Sequence, residues 1–362
     1  MKAKVVVIGA GAVGLFCALR LAERGAQVTL IDGDAEDWSS RACSASRAAA
    51  GMLAPVSEAQ LEPESVPPHA FELAWRSLQL WRDAPDWLKP NVRFPGALLL
   101  GVGAAPSGVE TQSLTYAEIE ARFGLTTAHD GVFVPDEGVV DPLPAMQAIV
   151  TQIRMLGGAV HFEMEAEAID AKPWRRVRCF GGAAFTADFV VLSPGMWARD
   201  TLCDIAPALK LLRPAKGVLA PARLARDLAV TIRGPNFYLA PRAPGDVVLG
   251  STMEFDVMDR RADPAKVAAL LAAAQAALPD FVELSDAPAW AGVRPMSPDW
   301  SPLVGPNGAE GVLVACGHSR NGWLNAPITA EMICAYVLGD EIPPLWAAFA
   351  PGRFERLDDD KH

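Results

Sequence analysis

The sequence contains no C-x-x-C pair, no internal repeat, no excess of positive charge and no apolar run of the ~20 residues that a membrane span requires. Its six cysteines are scattered along the chain. Only Cys316 has a histidine close by, His318, and this pair lacks the other ligands of a zinc site. We therefore expect buried, reduced thiols, no bound metal, no membrane span and a cytoplasmic location.

The charge balance excludes one class of partner. A formal net charge of −11 at pH 7 argues against a polyanion, so we expect no nucleic-acid partner. Apolar residues make up 51% of the 362 residues, which is typical of a globular protein with one large or two closely joined domains. The first residues, MKAKVVVIGAGAVG, imitate a signal peptide, but the apolar run is short and continues into a glycine pattern, so we expect no cleaved leader.

The start of the chain is its most informative segment. The run KVVVI (4–8) predicts a buried parallel strand, and GAGAVG (9–14) follows it as G-x-G-x-x-G. An amphipathic helix comes next and is stopped by Gly25, and a second strand (28–31) ends at Asp32. This order of strand, glycine turn, helix, strand and acid is typical of a dinucleotide-binding unit.

Each part of this unit has a chemical reason. Gly9 permits a tight turn, Gly11 lets a pyrophosphate approach the backbone, and Gly14 allows the helix to pack on the strand. The helix N-terminus offers N–H groups and a positive dipole to the phosphates, and Asp32 accepts a hydrogen bond from a ribose hydroxyl. The unit predicts a dinucleotide site and leaves open whether the ligand is NAD or FAD.

Two later segments are candidates for further contact with the cofactor. SASRAAAGMLAPVSEA (44–59) has no helical or strand periodicity, which is typical of a loop, and its small side chains suit close backbone contact with a planar or phosphate ligand. The second segment, ADFVVLSPGMWA (187–198), predicts a strand that ends in Ser193, Pro194 and Gly195. A strand with such an end can return the chain to a cofactor at the edge of the sheet.

Seven segments follow one another between residue 4 and about residue 340: VVVIGAGAVG, SRAAAGMLAP, VVDPLPAMQAI, GPNFYLAPR, VVLGSTME, WAGVRPMSPDWSPLVGP and CGHSRNGWLNAP. In these segments and their order the chain resembles the FAD-dependent family that contains D-amino acid oxidase, sarcosine oxidase and glycine oxidase, with glycine oxidase of thiamine biosynthesis as the nearest likeness. The resemblance implies FAD as the cofactor. Non-covalent FAD is expected, because Met296 lies in the RPMSPD segment near which sarcosine-oxidase relatives carry a tethering cysteine.

The resemblance also implies an α/β fold with two domains. A discontinuous, Rossmann-like FAD-binding domain comprises residues 1–85, 140–215 and 292–350. An α+β substrate domain built on an antiparallel sheet comprises residues 86–139 and 216–291, and residues 351–362 form a charged tail. Periodicity predicts helices over 71–82, 144–156 and 264–278, and strands at 97–101, 159–163, 188–192, 236–240, 246–250 and 312–316.

The reaction implied by the resemblance is the oxidative deamination of glycine or another small amino or imino acid. Hydride passes from the α-carbon to FAD N5, the imine product hydrolyses to a 2-oxo acid, and oxygen is reduced to hydrogen peroxide. No catalytic side chain is expected, because positioning of the substrate and the chemistry of the cofactor suffice. A homo-oligomer is compatible with this reading.

Four alternatives stay open. Within the same class, a D-amino acid or hydroxyproline dehydrogenase would pass electrons to a quinone or another acceptor. A tRNA side-chain oxidase would need a basic face or an appended domain. A nicotinamide dehydrogenase would leave the C-terminal motifs unexplained, and a non-catalytic FAD-binding scaffold would show no flavin bleaching with any amine. The substrate, its chirality and the oligomeric state are not determined by the sequence.

The resemblance assigns four residues to the substrate. Arg294 and Tyr238 contact its carboxylate, Met253 lines the pocket, and Arg320 either binds substrate or has a structural role. By residue type alone, Arg294 would equally form a salt bridge in a loop, and Tyr238 and Met253 would be core residues. Cofactor contacts are implied for Gly9, Gly11, Ala12, Val13, Gly14, Asp32, Ser46, Arg47, Ala50, Gly51, Met52, Leu53, Ala166, Gly195, His318, Ser319, Arg320, Asn321, Gly322, Trp323 and Leu324.

The segment ACGHSRNGWLNAP (315–327) carries the third set of expected flavin contacts. A loop over 318–322 is expected along the flavin, followed by a helix that starts near Pro327. The N-terminus of that helix would face the flavin N1–C2=O edge, where reduced flavin carries negative charge. Its polar residues are predicted to position the flavin, and the roles of Ser319 and Asn325, which depart from the family pattern, are left open.

Overall fold

The computed structural model describes residues 2–39, 44–102, 109–171, 175–224, 227–279 and 282–354. Cys43 and most of the predicted tail, residues 355–362, lie outside these ranges. No described helix has the length and hydropathy needed to cross a membrane.

Helices and strands alternate in the first third of the described chain, and strands dominate its middle. The helices are α1 Ala12–Glu23, α2 Ala45–Ala48, α3 Pro55–Leu61, α4 Pro68–Arg82, α5 Tyr116–Phe123, α6 Pro142–Met155, α7 Arg199–Leu202, α8 Pro264–Ala277, α9 Gly322–Leu338 and α10 Pro344–Ala347. The strands are β1 Lys4–Ile8, β2 Gln27–Ile31, β3 Met52–Leu53, β4 Val92–Arg93, β5 Ala97–Leu100, β6 Gln112–Leu114, β7 Gly131–Val134, β8 Gly138–Val140, β9 Ala159–His161, β10 Ala166–Asp170, β11 Arg175–Cys179, β12 Ala184–Ala187, β13 Phe189–Leu192, β14 Arg213–Leu224, β15 Thr231–Gly234, β16 Phe237–Pro241, β17 Asp246–Gly250, β18 Glu254–Phe255, β19 Val282–Leu284, β20 Trp290–Met296, β21 Leu303–Pro306 and β22 Val312–Cys316.

One sheet has the strand order β21-β22-β13-β1-β2-β9 and is parallel except for the edge strand β21. Its strands come from the start, the middle and the end of the described chain. Helix α1 follows β1 through the glycine turn and packs with α9, α4 and α6 in one apolar core. Because both faces of the sheet are covered, its strands are continuous apolar runs such as KVVVI, as expected for parallel strands.

A second, larger sheet lies in the middle of the chain and has the order β18-β14-β17-β16-β15-β5-β7-β6, with β19 and β20 pairing on the long strand β14. Its pairs are antiparallel except β15 with β5. Two small sheets, β10-β11-β12 and β3-β8-β4, complete the described strands. The domain boundaries given above stay a prediction.

The predicted helices are all present, and two of them begin earlier than predicted. Helix α4 begins at Pro68 instead of residue 71, and α6 begins at Pro142 instead of residue 144. Proline fits the first helical turn, where no N–H partner is needed, so the helix starts before the apolar period. Helix α8 begins at Pro264 as predicted, capped by Asp263, whose carboxylate accepts from the Ala265 N–H at 2.9 Å.

The predicted start of the last long helix is wrong. Helix α9 begins at Gly322, with Asn321 as its N-cap residue, and continues through Pro327 to its left-handed glycine cap at Gly339. A proline at this place lacks the N–H that would bond the carbonyl four residues before it, so a helix start was expected there.

Two side chains of α4 replace the hydrogen bonds that Pro327 disturbs. Trp81 Nε1 donates at 3.0 Å to the Trp323 carbonyl, which is the carbonyl that Pro327 leaves without a backbone N–H donor. The Ser77 hydroxyl donates to the Leu324 carbonyl at 2.6 Å. Both donors and both acceptors are buried, so the helix keeps its path because α4 satisfies its carbonyls.

We expect Trp81→Phe to lower the free energy of unfolding by about 1–3 kcal/mol, because it leaves the Trp323 carbonyl buried without its indole donor. Pro327→Ala supplies a backbone N–H to the same carbonyl. The cost of Trp81→Phe should therefore be smaller in the Pro327→Ala background, as measured by urea unfolding of the four proteins. An equal cost in both backgrounds would mean that only ring packing is lost, since that contribution is common to both.

Candidate functional site

A cavity with an empty volume of about 1730 Å³, including its open mouth, is lined by residues of both larger sheets. The described residues that line it come from the glycine turn, the end of β2, the small-residue segment, the end of β13 and the loop before α9. The predicted cofactor residues among them are Gly9, Gly11, Val13, Asp32, Ser46, Ala50, Gly51, Met52, Ala166, Gly195, His318, Ser319, Arg320, Asn321, Gly322 and Trp323. Most of the residues named from the sequence are thus brought to one place.

The remaining predicted contacts lie elsewhere. Ala12 and Gly14 are on the buried side of α1, and Leu53 and Leu324 are fully buried in the apolar core. Arg47 lines a separate shallow depression with Asp141, Arg242 and Trp290 among others. Their contacts with a cofactor stay predictions.

The glycine turn is packed so closely that larger residues would not fit. A Cβ on Gly9, whose φ is +107°, would overlap the Ser193 carbonyl at the end of β13, and one on Gly14 would overlap the Gly9 carbonyl. The Ala12 N–H donates to Ser46 Oγ at 2.9 Å. No described residue accepts from the N–H groups of Gly11 or Val13 at the same helix end. This end of α1 therefore offers donors and positive dipole to an anion.

Asp32 closes the turn from the next strand. Its carboxylate accepts from the Ala10 N–H at 2.6 Å and from the Asp34 N–H at 2.7 Å, and it also lines the cavity. The sequence pattern assigned Asp32 to a ribose hydroxyl alone. In the structure it holds the glycine turn in shape as well.

The segment predicted as a loop, residues 44–59, contains two short helices and a strand, so that prediction is wrong. Helix α2 begins after Ser44, β3 follows, and α3 starts at Pro55. The small residues serve packing between elements: a Cβ on Gly292 of β20 would lie 2.6 Å from the Ala48 Cβ. Trp323 Nε1 donates to the Ser46 carbonyl at 2.8 Å and ties this segment to α9.

Arg294 lies within β20, and its partly buried guanidinium lines the cavity. Its Nη2 donates to Ser251 Oγ at 2.8 Å and its Nη1 to the Thr252 carbonyl at 3.2 Å. A Cβ on Gly217 of the paired strand β14 would overlap the guanidinium, so a glycine there is needed to seat it. Among the described residues no carboxylate forms an ion pair with Arg294.

Burial lowers the pKa of Arg294, and the nearby positive charge of Arg320 lowers it further. The guanidinium still remains protonated at neutral pH because its ordinary pKa is far higher. An anion bound in the cavity would stabilise a partly desolvated cation of this kind.

Tyr238 lies on β16, lines the same cavity as Arg294 and is only 6% exposed. Its ring lies over Gly250, where a Cβ would come within 2.5 Å of the phenol carbon and oxygen. Met253 lies in the loop between β17 and β18 and does not line the cavity, but its Sδ is 3.7 Å from Arg294 Nη1. Tyr238 and Arg294 thus line the cavity, whereas Met253 contacts the guanidinium of Arg294 and does not line the cavity as predicted.

Arg320 is the second guanidinium at the cavity and it has two acidic partners. Its Nε is 3.3 Å from Glu58 Oε2, its Nη2 is 3.4 Å from Glu58 Oε1, and its Nη1 contacts Glu62. On its other side Glu58 pairs with Arg233 at 2.8 Å, and both side chains are buried. Burial acts to raise the pKa of Glu58, but the positive charges of Arg233, Arg320 and Arg294 outweigh it and hold that pKa below its usual range.

The sequence did not single out Glu58 or Arg233. Glu58 stood within the quoted small-residue segment, and a lone acid among small residues was the available signal. Arg233 lies in the short strand TIRG, which carries no motif, and its burial could be known only from the structure.

A further buried acid, Glu137, holds the start of α3. Its carboxylate accepts from the Ser57 N–H at 2.7 Å and from the Ser57 hydroxyl. Burial raises the pKa of Glu137 to about 7, although the hydrogen bonds from Ser57 act in the opposite direction. Glu137 thus fixes the segment on which Glu58 lies.

The loop before α9 presents His318 and Ser319 to the cavity. His318 Nε2 lies 2.8 Å from Thr329 Oγ1, and burial lowers the pKa of His318 to about 3, so the imidazole is neutral at pH 7. Burial raises the pKa of Cys316 to about 12, which makes it an inert thiol. Among the described residues no group of His, Cys, Asp and Glu is arranged to hold a metal ion.

Ser319 and Asn325 differ in placement. Ser319 adopts a φ of 54° at the cavity, and its N–H donates to the Pro295 carbonyl at 3.1 Å. Asn325 is buried in α9 and does not line the cavity. Of these two residues, Ser319 is the one placed to touch a ligand.

Comparison with known proteins agrees with this architecture. Residues 4–336 match the family described as FAD dependent oxidoreductase. The chain is 31% identical over 97% of its length to the bifunctional protein ThiO/ThiG of Synechocystis sp., of which it covers 54%, and 27% identical over 97% to glycine oxidase of Pseudomonas putida, of which it covers 99%. The chain therefore spans about half the length of the bifunctional relative that it matches.

A solved structure gives the same result for the fold. The crystal structure of glycine oxidase from Geobacillus kaustophilus matches with a TM-score of 0.83 at 25% identity, covering 97% of this chain and 99% of that one. The predicted α/β fold class is confirmed.

We expect His318 to make the protein less stable in acid. Because its folded pKa of about 3 lies below the unfolded value, only the unfolded chain binds the proton below pH 6.5. The free energy of unfolding should fall by about 1.4 kcal/mol per pH unit as the pH drops from 6.5 towards 3. Between pH 6.5 and 4.5, the free energy of unfolding of His318→Gln should fall by about 2–3 kcal/mol less than that of the wild type, as measured by urea unfolding.

A matched control is His129→Gln, which alters an exposed histidine. This variant should follow the wild-type pH dependence. If the His318 variant follows it too, burial of the imidazole is not the source of the acid sensitivity.

Proposed function

This chain belongs to the FAD-dependent oxidoreductase family, with FAD as its cofactor, and from that premise we propose that it oxidatively deaminates glycine or another small amino or imino acid, using oxygen. The observation that carries the proposal is Arg294, a partly buried guanidinium at the cavity that forms no ion pair with a carboxylate of the described residues. Bound FAD would accept a hydride from the substrate α-carbon and pass the electrons to oxygen.

The residues around the cavity fit a dinucleotide. The N–H groups of Gly11 and Val13 at the start of α1 have no acceptor among the described residues and could donate to a diphosphate, and the glycines of the turn leave room for it. Asp32 lies at the end of the next strand, where a ribose would follow. The loop 318–322 and the start of α9 line the same cavity, where the positive end of the helix dipole would favour the negative charge of a reduced flavin.

Substrate binding rests on Arg294 and Tyr238. The guanidinium fork suits a carboxylate, and the Tyr238 hydroxyl supplies one more donor to the same group. With the carboxylate held there, the short distance to the amine fixes the orientation of the α-carbon. Gly217 and Gly250 support this arrangement because they give the two side chains their space.

No side chain is required to remove a proton from a neutral amine. His318 is neutral and its Nε2 is bonded to Thr329, so it serves to position groups at the cavity. The thiol of Cys316 is held protonated by burial, which supports non-covalent FAD. If denaturation leaves the flavin attached to the precipitated protein, the non-covalent attachment is excluded.

The proposal is tested by mixing the purified holoprotein with small amines under anaerobic conditions. Glycine, N-methylglycine, D-alanine and proline should be compared by flavin absorbance, and at least one should bleach the flavin. Turnover in air without a dye supports oxygen as the acceptor, whereas turnover with a dye alone favours the dehydrogenase alternative. If no amino or imino acid bleaches the flavin, amine oxidation is excluded.

We expect Arg294→Ala to raise KM by roughly 10- to 100-fold, because a charge-assisted hydrogen bond to the carboxylate contributes about 1.5–3 kcal/mol. FAD content should stay at the wild-type value. Arg294→Lys keeps the positive charge but loses the two parallel donors of the guanidinium, so its KM should lie between those of the wild type and Arg294→Ala.

The control is Arg213→Ala, which removes an exposed guanidinium paired with Asp256 on the same large sheet. Its kinetics should match the wild type. Unchanged kinetics in Arg294→Ala would remove Arg294 from the substrate site.

A further inference from the structure

Two guanidinium groups reach the cavity, and only one of them is available to a ligand. Arg294 donates to a hydroxyl and a backbone carbonyl and has no acidic partner among the described residues. Arg320 instead uses all three of its nitrogens on acids: Nε and Nη2 on Glu58, and Nη1 on Glu62. Its fork is therefore occupied by the protein itself.

The acids that hold Arg320 belong to a longer row of charges. Glu58 is shared with Arg233, whose Nε and Nη1 have no hydrogen-bond partner among the described residues, so this arginine depends on Glu58 for its pairing. Two arginines and two glutamates make a row without net formal charge. Arg294 lies next to this row and forms no ion pair of its own among the described residues, so the net formal charge of the five side chains is +1.

This balance has a consequence for any ligand with two carboxylates. Its first carboxylate neutralises Arg294. Its second would meet a guanidinium that is already paired, with the carboxylates of Glu58 and Glu62 beside it, and these like charges would repel it. A ligand with one carboxylate and a neutral remainder meets no such repulsion.

We propose that Glu58 and Glu62 restrict the site to amino and imino acids with a single carboxylate, by occupying the guanidinium of Arg320 that would otherwise bind a second one. The part of this inference that concerns turnover rests on the proposed function, whereas the part that concerns ligand binding rests on the charges of these side chains alone. Glu62 is the residue that can be tested directly, since its side chain is 38% exposed and lies at the end of α3, whereas Glu58 is buried between two arginines.

Binding is measured first, since it needs no turnover. Acetate and malonate are titrated into the holoprotein at pH 7.5, and dissociation constants are read from the change in flavin absorbance. Wild type should bind acetate at least about tenfold more tightly than malonate. Glu62→Gln removes one negative charge beside Arg320, which should reduce this preference by about tenfold.

Glu64→Gln is the matched control. It removes the same charge two residues further along, from an exposed side chain that does not touch Arg320. It should keep the wild-type preference and wild-type turnover. Equal binding of acetate and malonate by wild type, or the same change of preference in both variants, overturns the inference.

Turnover supplies the second measurement. Iminodiacetate and its monoamide are almost isosteric and differ in one negative charge. Wild type should oxidise the monoamide with the higher kcat/KM, and Glu62→Gln should narrow the difference. If no amine reduces the flavin but acetate still binds more tightly than malonate, the proposed reaction fails while the charge selection stands. If the monoamide and iminodiacetate are oxidised equally well, the proposed reaction stands and the charge selection fails.

Discussion

The guanidinium of Arg294 lies partly buried at the cavity and donates to a hydroxyl and a backbone carbonyl, and Gly217 on the neighbouring strand leaves room for it. An ion in such surroundings costs several kcal/mol unless an anion compensates for it. The protein supplies carboxylates to Arg320 instead, although they lie close by. In the binding mode that we propose, Arg294 holds the carboxylate end of a ligand, and the paired Arg320 favours a neutral group at the other end.

Room for these side chains comes from glycines on neighbouring strands. Gly217 lies under the Arg294 guanidinium, Gly250 lies under the Tyr238 ring, and Gly292 receives the small residues of α2. Each glycine is thus explained by a bulky or closely packed neighbour on another element. The large sheet is shaped by what it must seat as much as by its hydrogen bonds, and one added methyl group would shift a ligand contact.

The parts that could be predicted from the sequence are those whose cause is local. The glycine turn, its flanking strands and the caps of α8 follow from residues a few positions apart, and Arg294 and Tyr238 were found through family motifs. The start of α9 was missed because the donor to the Trp323 carbonyl lies 242 residues earlier in the chain. The pair of Glu58 and Arg233 was missed for the same reason, since nothing within either segment indicates its partner.

The parallel sheet has a further consequence for how the chain folds. Its central strand β1 leaves the ribosome first, but its neighbours β13 and β22 and the helix α9 that covers it are made far later. The glycine turn can form early from local residues, whereas the site around it is complete only when the last third of the chain has joined. Such long-range pairing slows folding and leaves apolar strand edges open in the meantime, so the interval between synthesis of β1 and α9 is when this protein is most exposed to aggregation and to chaperones.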